Sequence, residues 1–143
     1  MRLSCSENQF RERIIIDLFN RGVIAHSLGS GTFDLILEGD KQQLVEIKRI
    51  LYNLDGEFDS FNTGILFSAN QTKIISRMKF PPVVVAYDCY NNNSYLLPPK
   101  LIKTEFPIYP HGYEAILYCK SKYFPKPTPY ENLLIELPRY CTS

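Results

Sequence analysis

Asp34, Glu46 and Lys48 are charged side chains set into two short apolar runs, FDLIL and LVEIKR, on either side of the turn GDK at 39–41. If those runs form a hairpin whose loop centres on residue 40, Glu38 pairs with Gln42, Ile36 with Leu44 and Asp34 with Glu46. Side chains alternate faces along a strand, so Asp34, Glu46 and Lys48 then share one face. Opposed residues lie about 4.5–5.5 Å apart at Cβ, and like charges placed that way are destabilising. A divalent cation removes the conflict, because two carboxylates, waters and a substrate phosphate make the oxygen-rich shell that Mg²⁺ prefers. Such an ion polarises a scissile phosphate and acidifies a bound water, and Lys48 would orient that water or stabilise charge developing on the phosphate. A one-residue slip would send the two acids to different faces. Spacing alone also leaves a blander reading open. Alternating charges mark many solvated sheet faces, and a lysine beside a glutamate is usually a weak surface pair.

These residues need a scaffold, and the chain supplies signals for one. A helix is expected over about 7–21, with Asn and Ser near its start and Arg-Gly at its end. Its apolar residues, Phe10 to Phe19, spread over a broad arc, and Glu12 falls inside it between Phe19 and Ile16. A carboxylate half-buried there wants a partner, although a bent helix or a snorkelling side chain accounts for it equally. A short strand (VIAHS, 23–27), a glycine-bearing loop and the hairpin follow. Residues 50–67 read as irregular, with Gly56 and Gly64 as breakers. SANQTKIISRMKF begins at a good N-cap, Ser68, and stops at Pro81-Pro82, which predicts a helix. VVVAYD (83–88) reads as a buried strand, and NNN (91–93) as a turn into SYLLP. Beyond 98 the segments YEAILYCK and NLLIEL fit strand or helix. The order αβββαβ predicts an α/β fold, a central mixed β-sheet flanked by helices.

Composition narrows the class. The chain of 143 residues is 45% hydrophobic and 22% charged, which suits one globular domain over 1–143. Net charge is +1, so no simple basic protein on an acidic polymer is announced. Residues 1–47 carry five Lys/Arg against seven Asp/Glu, and 48–143 carry eleven against eight, so the acidic excess falls where the charged constellation lies. No apolar run approaches a membrane span, and MRLSCSENQFRER lacks the apolar core of a signal peptide, so a cytoplasmic location is expected. Cys5, Cys89, Cys119 and Cys141 show no zinc spacing and read as free thiols.

Asp34, eleven intervening residues and then Glu46-Ile47-Lys48 resemble the core motif of the PD-(D/E)xK nucleases, the restriction-endonuclease-like superfamily. The helix with Glu12, the short strand, SLGSGTFDLIL and QQLVEIKR are similar to the archaeal Holliday-junction resolvases. The resemblance spans about residues 7–88. It implies a metal-dependent DNA endonuclease with catalytic residues Glu12, Asp34, Glu46 and Lys48. Asp34 and Glu46 would hold Mg²⁺, or Mn²⁺ as a substitute. It also implies a loop serine, Ser30, and a helix glutamine, for which Gln71 or Lys73 is the counterpart. Ser30, Gln71, Lys73 and Arg77 would face DNA, the last two lying one turn apart on a helix. The near-neutral charge, the 50–67 stretch and the Pro/Tyr-rich tail over about 89–143 depart from a minimal resolvase. They look more like recognition or dimerisation elements, as in restriction and small homing endonucleases. Cutting both strands of a duplex is most simply met by a homodimer or a higher even oligomer.

Overall fold

Ile36 stands opposite Leu44 in the computed structural model of the chain, with Leu35 opposite Val45 and Leu37 opposite Gln43. This is the register expected from the sequence, and it joins β2 (Leu35–Leu37) to β3 (Gln43–Arg49) as an antiparallel hairpin. The structure describes residues 2–29, 31–54, 63–105 and 114–142. β1 (Ala25–Ser27) pairs antiparallel with β2 at one edge. On its other side β3 runs parallel to β5 (Val83–Asp88), which pairs antiparallel with β6 (Asn93–Leu97). The result is a mixed five-stranded sheet ordered β1-β2-β3-β5-β6. All six residues of β5 are buried, as a central strand covered on both faces requires.

One face is covered by α1 (Glu7–Phe19) and α4 (Tyr130–Glu136). Ser6 caps α1 by accepting from the Gln9 N–H, and Gly22, at φ +81°, ends its last turn in the left-handed region that suits glycine. Phe10, Ile14 and Leu18, spaced i and i+4, turn inward, and the Phe10 ring stacks on Tyr87 at 4.1 Å. The other face is covered by α2 (Ala69–Arg77), α3 (Pro99–Glu105) and a separate pair, β4 (Gly64–Phe67) with β7 (Ala115–Tyr118).

Four expectations change. The 50–67 stretch is not irregular throughout: β4 occupies its end, and Gly64, read as a breaker, sits so close to the Leu117 carbonyl that a Cβ has no room. Its middle, 55–62, lies outside the described residues. Cys5 and Cys89 are not free thiols but form a disulfide with Cα atoms 5.2 Å apart, tying the segment before α1 to the end of β5. They are 84 residues apart, so spacing could not pair them. Glu12 is not half-buried, because the buried stripe of α1 is narrow and Ile16 and Phe19 are exposed beside it. The two ambiguous late segments resolve as β7 and α4.

Candidate active site

The hairpin forks beyond Leu35 and Val45. β2 ends there, while β3 continues beside β5 to Arg49. One pair further along this register, Asp34 faces Glu46. At the fork the Ile47 N–H loses its partner on β2, and Asp34 Oδ2 accepts it instead at 2.8 Å. Asp34 is thereby fixed at the mouth of the fork with its other oxygen toward Arg11, whose Nη1 is 3.5 Å away.

Glu46 and Lys48 project from β3 onto the α2 face, where their neighbours across β5 are Val84 and Ala86. Those apolar neighbours offer no counter-charge. Glu46 is only 3% exposed. Burial first, and then a hydrogen bond shared with the Asp34 carboxyl, push its pKa up to about 9 against the pull of Lys48. Lys48 Nζ lies 3.7 Å from Glu46 Oε2 and 4.8 Å above the centre of the Phe67 ring.

Gln71 binds the cluster together. Ser68 caps α2 by accepting the Gln71 N–H, and the Gln71 amide oxygen accepts the Ser68 N–H in return, a capping box that fixes the side chain at the helix start. From there its amide oxygen also accepts from Lys48 Nζ at 2.8 Å. Its amide nitrogen donates to the Thr32 carbonyl at 3.0 Å and to Glu46 Oε2.

Asp34, Glu46, Lys48 and Gln71 therefore meet, the first three as the hairpin spacing anticipates and Gln71 as the resemblance implies. Glu12 does not join them: it is exposed and lines an open groove with Arg2, Gln9 and Arg13. About 140° around the helix, Glu7 lies within reach of the cluster instead. Its residue is exposed overall, yet crowding around the carboxyl and the charge of Asp34 raise its pKa, with Lys48 and Arg11 opposing. Glu7 and Arg11, one turn apart on one face of α1, were legible only as ordinary helix charges. Lys73 and Arg77 are exposed on α2 and stand outside the cluster. Ser30 lies outside the described residues. Among the described residues no group of three His, Cys, Asp or Glu is gathered as a metal site. No described helix is long and apolar enough to cross a membrane.

No family model matches the chain, and no curated protein matches it. Among solved structures, the chain is similar to the bacterial homing endonuclease I-Ssp6803I, with a TM-score of 0.51 over 95% of this chain and 95% of that one. Sequence identity is 14%, so the likeness is one of fold: a central mixed sheet flanked by helices, endonuclease-like in arrangement.

Proposed function

We propose that the chain is a metal-dependent DNA endonuclease with a PD-(D/E)xK-type active site, of restriction, homing or junction-resolving kind. The observation that carries this reading is the facing of Asp34 and Glu46 at the strand fork, with Lys48 beside them. The fold shared with a homing endonuclease supports it.

The donor set fits a hard divalent cation. Both carboxylates are oxygen ligands, and a cation between them would relieve the burial and acid–acid conflict that raises the Glu46 pKa. Asp34 and Glu46 would hold Mg²⁺, with Mn²⁺ as a substitute. When bound, such an ion lowers the pKa of water and polarises phosphate. Lys48, steadied by Gln71 and the Phe67 ring, presents its ammonium where a phosphate oxygen and an attacking water would meet, and stabilises negative charge there. Gln71 holds Lys48 and Glu46 in mutual register. Glu7, rather than Glu12, is the helix carboxylate that adds negative charge at the mouth. Ser30, Lys73 and Arg77 contact DNA phosphates. The chain acts inside the cell as a homodimer or a higher even oligomer, with about 89–143 contributing recognition or dimerisation to the core at 7–88.

Purified protein with Mg²⁺ should nick or cut plasmid DNA. Asp34→Ala and Lys48→Ala should each lower that activity at least about a hundredfold while DNA is still bound. Full activity in either variant removes the assignment.

A further inference from the structure

Beyond Lys48 the strand leads into a cleft of about 480 Å³, walled by Arg49, Leu51, Tyr52, Leu54, Leu66 and Tyr90. Arg49 ends β3 one residue past Lys48 and turns to the opposite face, and Leu66 lies on β4 one residue before Phe67, whose ring lies beneath the Lys48 ammonium. Tyr52 and Tyr90 meet edge to face at 5.5 Å and are 39% and 65% exposed. Two exposed rings in edge-to-face contact thus share one cleft with the Arg49 guanidinium.

The rings are also held. The Tyr52 hydroxyl donates to Asp88 Oδ2 at 2.7 Å and accepts from the Asn91 amide at 3.1 Å. Asp88 Oδ1 accepts the Tyr90 N–H at 3.0 Å and the Asn91 N–H at 3.3 Å. The Cys5–Cys89 disulfide immediately precedes Tyr90, whose carbonyl accepts from Arg2. Arg49 is anchored in turn, Nη1 donating to the Cys5 carbonyl at 3.2 Å. Fixing the Tyr52 ring and the backbone that carries Tyr90 lowers the entropy lost when something flat lies against them.

We infer that this cleft is a nucleobase subsite: Tyr52 and Tyr90 receive one unstacked base of the DNA strand next to the scissile phosphate, and Arg49 takes the adjoining phosphate. A base offers a π-face to the rings whatever its identity, and the negatively charged backbone that carries it comes within reach of Arg49 at the wall of the same cleft. The inference rests on the endonuclease reading and adds to it how the strand is held.

The test is binding and photocrosslinking with Ca²⁺ in place of Mg²⁺, using single-stranded and duplex DNA that carry 5-iodouracil. Crosslinks should map to Tyr52 or Tyr90. Tyr90→Ala should weaken binding about fivefold or more with the salt dependence unchanged, and Tyr90→Phe should restore it. Arg49→Gln should lower the slope of log affinity against log salt by about one. Wild-type affinity in Tyr90→Ala, or crosslinks confined to other residues, overturns the subsite while leaving the endonuclease standing. A wild-type chain that neither binds nor cuts any DNA overturns both.

Discussion

Glu46 and Asp88 sit on neighbouring parallel strands and on the same face of one sheet, 3% and 6% exposed, yet their carboxyl groups are pushed in opposite directions. Burial raises the pKa of both. For Glu46 the next influence is another acid, Asp34, and only Lys48 and Gln71 pull the other way. For Asp88, donation from the Asn91 side chain, the Tyr52 hydroxyl and the backbone of Asn91 and Tyr90 outweighs burial and holds the carboxyl below its ordinary value. Depth in the protein therefore does not separate a structural acid from a chemical one. The number of donors around it does. Asp88 has its charge satisfied by the fold, whereas the Glu46 carboxyl is buried against another acid, a conflict that the proposed cation would relieve.

The comparison can be broken first at Asp88. Asp88→Ala strips the acceptor from Tyr52, Asn91 and two backbone N–H groups, and should cost about 1–3 kcal/mol, read as a melting temperature lowered by several degrees. Because the folded-state pKa lies below the ordinary value, this stabilisation is present above that value and is lost as pH falls through the folded one. The variant and the wild type should therefore converge in stability in acid below the ordinary aspartate range. A gap that stays constant into strong acid would show that Asp88 is not ionised in the fold.

A smaller effect separates the two helix acids. Glu7→Gln should lower Mg²⁺-dependent cleavage about tenfold, the size typical of a residue that supports a ligand without being one. Glu12→Gln, on the exposed far side of α1, should leave the rate unchanged. The reverse ranking would restore Glu12 to the site and displace Glu7.

What the sequence disclosed follows the same physical divide. The hairpin register was legible because alternation and a short turn fix it together, so the meeting of Asp34 with Glu46 and Lys48 could be placed before any coordinates. Ser68 and Gln71 announced α2 because a capping box is a local signal. Glu12 falls outside the site because the inward stripe of α1 is Phe10, Ile14 and Leu18 with Ile15 partly buried beside them, and nothing local says how much of a helix its neighbours will cover. The Cys5–Cys89 bond, the pairing of β4 with β7 and the Asp88–Tyr52–Asn91 network join residues far apart in the chain. No period or spacing records such contacts. The cleft beside Lys48 was invisible for the same reason.

The account depends most on Asp34 and Glu46 sharing a cation, and thermal unfolding across pH tests that directly. With the folded-state pKa of Glu46 raised from 4.5 to about 9, the metal-free fold holds one more proton than the unfolded chain between those values. The Glu46 contribution to stability is therefore fully present below 4.5 and is lost as pH rises toward 9. Mg²⁺ competes with that proton, so it should raise the wild-type melting temperature by an amount that grows from pH 6 to roughly pH 9, and Glu46→Gln should abolish the response. A melting temperature indifferent to Mg²⁺ throughout, or a response that survives intact in Glu46→Gln, would contradict it.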